Sequence, residues 1–206
     1  MKPDIDRAPR TRNAGRGVVF LAKCVTVDQY RKMERDRDRN GISSFIYERF
    51  YERHIAPHDY MPEHKRTGFS VMGDCCLMIE ALESFFQGWE NTRARGMGNQ
   101  AFSSFFARVP ELKDFAGIGF YKHIRCGILH QAETTGGWLL RRGSGKLIDP
   151  SNKTIDADLF LGVLKKYLRD YTNSLRVADW ESDVWRNLRK KMQFVIDHCG
   201  TDTGDE

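Results

Sequence analysis

Apolar residues recur along most of this chain at three- and four-residue spacing, in stretches broken by Gly, Pro and Asp, a pattern that predicts a mainly α-helical protein. The strongest stretch covers residues 69–89, where Val71, Cys75, Met78, Leu82 and Phe85 form a nearly continuous seam that Ile79 and Phe86 widen. Residues 28–39 mix both signs of charge at helical spacing, and Asn40–Gly41 is a strong turn pair that closes them. Ser43 or Ser44 caps the next helix, with Phe45, Ile46, Phe50 and Ile55 inward, and Pro57 and Pro62 bracket a loop. A short aromatic helix over 101–109 carries Phe102, Phe105 and Phe106 and ends before Pro110. A further helix covers 120–132 and is terminated by Gly136–Gly137. The last two helices are capped by Asp156 and Asp179. Leu159, Leu164, Leu168 and Tyr171 face inward on the first, and Trp185, Leu188 and Met192 on the second.

Strand signals are few. The β-branched stretch 18–27 reads as strand or buried coil. Residues 138–142 and 146–148, joined by Gly143, Ser144 and Gly145, predict a hairpin, with 153–155 as a third short strand. The expected architecture is a helical bundle of five to six helices with a small β-hairpin insertion around 138–155. Nothing alternates strand with helix, which excludes a doubly wound sheet.

The ends change how the charge is read. Residues 1–16 are a flexible basic arm with five basic and two acidic side chains, and 200–206 are an acidic tail with three acidic ones. These cancel, so the formal +5 of the 206-residue chain belongs to 17–199, expected to form a single domain. A basic body with a sequence pI near 9.0 suits a phosphate-rich partner, although many proteins of this charge bind no nucleic acid. The longest apolar run, 17–22, is far shorter than the ~20 residues of a spanning helix, and no secretory signal is visible. A cytoplasmic protein without a membrane partner is expected. The five cysteines are odd in number and lack a C-x-x-C spacing, which favours reduced thiols over a disulfide framework.

Signatures of serine hydrolases, P-loop enzymes, zinc proteases and dinucleotide-binding folds are missing. The segment that stands out is 119–135, GFYKHIRCGILHQAETT, which puts Lys122, His123, Arg125 and His130 on one helix. His123 and His130 are separated by ~700° of rotation and therefore lie within about 20° of each other, with Cys126 and Gly127 between them. Arg125 is roughly 140° from His130, so the two are not neighbours on an ideal helix. A site assembled from two copies of the helix is easier to build. Gly127 suits that picture, because a missing side chain lets a second helix approach. Two arginines and two histidines in one cleft are the parts for metal-free RNA cleavage: imidazole moves protons and guanidinium holds the scissile phosphate.

Arg125-Cys126-Gly127-Ile128-Leu129-His130 resembles the R-x4-H signature of the HEPN superfamily (higher-eukaryote-and-prokaryote nucleotide-binding domains). The resemblance implies an all-α, often dimeric domain of a kind that includes many ribonucleases of toxin–antitoxin and phage-defence systems. It implies Arg125 and His130 as the catalytic pair, with His123 and Cys126 in support and an earlier helix bearing Glu80 and Glu83. Lys122, Arg93 and Arg95 would contact the nucleic acid. No cofactor or metal is implied, and the partners would be RNA, a second copy of the chain and an antitoxin or regulatory protein. Active members usually have a polar residue, often Asn, after the arginine, where this chain has Cys126.

Other readings stand beside this one. The same fold serves as a non-catalytic nucleotide-sensing or protein-interaction domain, and a DNA-binding regulator would use the basic arm and the last helix with Arg186, Arg189, Lys190 and Lys191. His130 also reads as a core histidine, and Arg125 as half of an ion pair with Glu80 or Glu83. His123, Cys126 and His130 together read as a minor zinc-site alternative. Phe105 or Trp89 beside Arg93 and Arg95 would stack a base.

Overall fold

The computed structural model describes residues 18–59 and 67–199, so the basic arm, the acidic tail and Pro62 lie outside the described residues. The described residues form a mainly helical fold with two small sheets. It opens on a β-hairpin, β1 (Phe20–Ala22) and β2 (Val25–Thr26), paired antiparallel. Thr26 then starts α1 (Val27–Arg35) through a capping box: its hydroxyl accepts from Gln29 N, and the Gln29 amide oxygen accepts from Thr26 N at 2.8 Å.

The turn after α1 sits earlier than Asn40–Gly41 suggests. Arg37 adopts a positive φ, and Asp38 caps α2 (Arg39–Phe50) by accepting from Gly41 N at 2.8 Å. Asn40 and Gly41 are therefore inside the first turn of α2. Ser43 does not cap it either, because its hydroxyl donates to Arg39 O. Tyr51–Ile55 form a wide π turn, which passes into α3 (Ala56–Asp59). Pro57 lies in α3, not at the edge of a loop; having no N–H to donate, it is accommodated just after the widened turn.

The apolar seam of 69–89 forms α4 (Gly68–Gln87), with Val71, Cys75, Met78, Ile79, Leu82 and Phe85 all buried. Around it pack α5 (Met97–Arg108), α7 (Ala157–Val177) and α8 (Asp183–His198). Phe102, Phe105 and Phe106 are core, which removes Phe105 as a stacking surface. One connected hydrophobic core runs from Leu21 in β1 to Ile196 in α8. Asp156 caps α7 as expected, accepting from Asp158 N and Leu159 N, but Leu159 itself is 42% exposed in that first turn. Ser182, not Asp179, precedes α8; Asp179 shapes the turn before it by accepting from Glu181 N.

The predicted hairpin at 138–148 does not form. β3 (Leu139–Arg141) pairs in parallel with β5 (Thr154–Asp156), which pairs antiparallel with β4 (Ile148–Asp149), so the third strand is central. Asp156 explains the order. Its Oδ2 accepts from Ser144 N and from the Ser144 hydroxyl at 2.5 and 2.8 Å, folding the loop between positive-φ Gly143 and Gly145 back onto β5.

Glu83 is wholly buried on α4, and Arg108 reaches it from the end of α5 with two guanidinium nitrogens. Arg108 also donates to the Tyr167 hydroxyl at 3.1 Å and lies 3.8 Å from the centre of the Phe86 ring. Arg108→Met strands a buried carboxylate and is expected to cost about 3–5 kcal/mol. Combining it with Glu83→Met should cost clearly less than the sum of the single changes, as read from urea unfolding. Burial raises the Asp156 carboxyl, but hydrogen bonds from Leu159, Ser144 and Asp158 outweigh it and hold its pKa below the ordinary value. That contribution is present above the unfolded-state pKa of about 3.9 and is lost as pH falls through the lower folded value. Asp156→Ala should therefore lose about 1–2 kcal/mol at pH 7, and the gap to wild type should narrow below about pH 4.

Candidate active site on the helix after Gly119

A π turn also opens the helix that carries Arg125 and His130. Tyr121–Arg125 form the wide turn, with Cys126 N donating to Tyr121 O, and α6 (Cys126–Gln131) continues from it. The inserted residue shifts the register by about 100°, which separates the stripe on which His123 and His130 were expected to align. His123 turns instead toward the loop after α6: its Nδ1 is 2.9 Å from the Thr135 hydroxyl, and its backbone carbonyl accepts from Thr135 N. Ala132, with φ 54°, ends α6, four residues ahead of the Gly136–Gly137 pair expected to do so.

Arg125 and His130 are brought together within one chain, contrary to the expectation from an ideal helix. Arg125 Nη1 lies 3.3 Å from His130 Nε2, because Glu80 of α4 holds the long side chain by accepting from its Nε at 2.7 Å. Arginine can only donate, so a hydrogen bond at this approach has Arg125 donating to Nε2 of the imidazole. Burial disfavours the Arg125 charge, yet the Glu80 hydrogen bond and charge outweigh it and hold the guanidinium more firmly protonated than usual. His130 itself is exposed. It is not a core histidine.

Two residues that the sequence did not single out complete the surroundings. Thr92 donates its hydroxyl to the second oxygen of Glu80 at 3.1 Å, tying down the loop that carries exposed Arg93 and Arg95. Tyr121 lies four residues before Arg125, with its ring centre 5.4 Å from the guanidinium carbon. Burial raises the pKa of its hydroxyl above the ordinary value; Arg125 opposes the rise, and Cys126 and Glu80 add to it. The spacing of Tyr121 to Arg125 is the only sequence signal for it. Thr92 has none, because its contact to Glu80 depends on the loop's path.

The remaining expected residues divide. Glu80, Arg125, His130 and half-buried Cys126 belong to the cluster, and Lys122 is exposed on the same helix. Glu83 does not belong, since its partner is Arg108. Gly127 is not a seat for a second helix. It is buried against its own chain, and a β-carbon there would collide with the Glu133 carbonyl oxygen and crowd Thr134. On α8, Arg186 and Arg189 pair with Asp183 and Glu181, which leaves less free charge for the duplex-binding reading. Among the described residues, no three His, Cys, Asp or Glu side chains converge as metal ligands. None of the helices there is long and apolar enough to cross a membrane.

No protein-family model matches the chain, and neither curated proteins nor solved structures gave a match. What the cluster can do therefore rests on its own chemistry. Gly127→Ala tests the local fold: the collision should displace the 133–135 backbone and cost about 1–3 kcal/mol, a loss of roughly 2–10 °C in Tm by thermal unfolding.

Proposed function

We propose that this chain is a HEPN-like protein that binds RNA and cleaves it without metal at Arg125 and His130. The observation that carries the reading is a guanidinium anchored by a carboxylate, 3.3 Å from an exposed imidazole. A scissile phosphate entering from solvent would draw the Arg125 donors to its non-bridging oxygens and free His130 Nε2. That nitrogen would take the 2′-hydroxyl proton as the 2′-oxygen attacks phosphorus and the bond to the 5′-oxygen breaks. Protonated imidazole then returns a proton to the 5′-oxygen, leaving a 2′,3′-cyclic phosphate and a 5′-hydroxyl. The Arg93 and Arg95 loop, tethered through Thr92 and Glu80, and Lys122 offer phosphate contacts along the strand.

A homodimer is part of this reading. Leu77 and Leu129 are 44% and 39% exposed, one a turn before Glu80 and the other beside His130, so an apolar surface borders the cluster. A second copy covering it would bring both histidines to one cleft. The non-catalytic sensing or interaction reading is favoured by one observation: Cys126 stands where active relatives of the resemblance carry a polar residue.

Purified protein in EDTA is expected to cut single-stranded RNA and leave cyclic-phosphate ends. His130→Ala and Arg125→Ala should each slow cleavage by about 100-fold or more, and His130→Ala should relieve any toxicity on expression. Binding of RNA with no cleavage in EDTA would decide for the sensing reading. Light scattering should give a dimer that Leu129→Asp converts to monomer, and a monomeric wild type removes the two-copy cleft.

A further inference from the structure

A second cluster of positive charge lies away from Arg125 and His130, where the first π turn meets α4 and α8. A cavity of about 200 Å³ opens there. Arg49, Arg53 and Lys191 line one side of it, with His54, and no aspartate or glutamate among the described residues lines it. Arg49 and Arg53 both donate to the same acceptor, the Leu21 carbonyl oxygen, the second at 2.9 Å. Lys191 donates to the Glu90 carbonyl oxygen at 2.6 Å. Among the described residues none of the three is paired with a carboxylate. Two like charges held on one carbonyl repel each other, and in a half-buried setting that repulsion is poorly screened. The rest of the lining is apolar: Phe50 and Phe85, which meet edge to face at 5.5 Å, with Ala81 and Val195.

We infer that this cavity binds a small organic phosphate, its phosphate on Arg49, Arg53 and Lys191 and its flat or apolar body on the Phe50–Phe85 wall. The volume is below the ~300–1,000 Å³ of drug-sized sites, so the enclosed part of the ligand is a phosphate and about one ring. A dianion would relieve the repulsion between the guanidiniums through charge-assisted contacts that carbonyl oxygens do not supply. The titration behaviour agrees. Burial and the Arg53 charge push Arg49 down to about 10, and burial with Arg49 lowers Lys191. Burial also lowers His54, with Arg53, Arg49 and His58 adding to the fall against Asp74, and its Nδ1 is buried with no hydrogen-bond partner. Glu52, Glu90 and Asp74 oppose the shifts of Arg53, Lys191 and His54 through space, but none of them forms an ion pair with these groups among the described residues. None of them belongs to the RNA site, so phosphate binding here is independent of cleavage there.

Calorimetry on the full-length protein with phenyl phosphate and inorganic phosphate tests it. Phenyl phosphate should bind saturably and at least tenfold tighter than inorganic phosphate. AMP and O-phosphotyrosine serve as further arms, the tighter of them identifying a nucleotide or a phosphorylated amino acid as the source. Lys191→Gln should weaken binding at least tenfold, whereas Lys166→Ala, a distant surface change, should leave it alone. Ala81→Glu, which supplies an internal carboxylate, should abolish binding and raise the Tm of the unliganded protein. Absence of saturable binding, equal affinity for inorganic and phenyl phosphate, or indifference to Lys191→Gln would each overturn the inference.

Discussion

A carboxylate on a helix that is covered on several sides must find a cation or a hydrogen-bond donor inside the protein, and α4 carries three such carboxylates. Removing such a group from water without a partner costs several kcal/mol, so each carboxylate dictates what can dock beside it. Asp74 holds His58 at 2.6 Å, Glu80 holds Arg125 at 2.7 Å, and Glu83 holds Arg108. These partners come from α3, from the turn that leads into α6, and from α5, which pack on the same helix that supplies the apolar seam. The seam provides the bulk of the burial without direction. The three acids add direction, because an element rotated out of place would strand a charge.

The two π turns work within that constraint. Each lies where basic side chains must reach a fixed acceptor: Arg49 just before the first and Arg53 within it reach Leu21 O, and Arg125 at the end of the second reaches Glu80. An extra residue in a turn rotates the helical segment before it relative to the segment after it. In the second turn that rotation sends His123 toward Thr135 while Arg125 faces α4. A straight helix would have grouped His123 with His130 and left Arg125 apart.

This is also where sequence reading and structure part. Signals carried within a few residues were legible: the seam of α4, the Asp156 cap, the aromatic core of α5, and Arg125 with His130 as a pair worth attention. Features that depended on distant parts of the chain were not. Asn40–Gly41 has turn chemistry, but Asp38 captures Gly41 N and recruits both residues into α2. The loop glycines at 143 and 145 suggest a hairpin, but Asp156 draws that loop onto β5 and makes the central pairing parallel. Periodicity assumes a constant 3.6 residues per turn, so it could not register a π turn or choose between Glu80 and Glu83, 45 and 42 residues from Arg125. Gly127 was read as space for another molecule because nothing local reveals that the loop at 133–135 returns to fill it.

The two arginine–glutamate pairs on α4 differ in how far the arginine is already committed. In the Glu83 pair every Arg108 nitrogen is engaged, by the carboxylate or by Tyr167; Phe86 lies against its guanidinium, and Gln87 takes a further contact with the acid. A cavity of about 290 Å³ opens beside Arg108 and Tyr167, but a ligand there meets nitrogens that already carry a bond. At the Glu80 pair, Nε is on the carboxylate, Nη1 is on His130, and Nη2 has no hydrogen bond among the described residues. Its neighbour His130 opens to solvent. In the proposed reaction a bound phosphate would replace the Arg125 contact to the imidazole with charge-assisted ones to an anion, which frees the imidazole to act as base. The carboxylate that fixes Arg125 in place thus leaves one of its nitrogens without a hydrogen bond beside an exposed imidazole, and Arg108 has no such nitrogen.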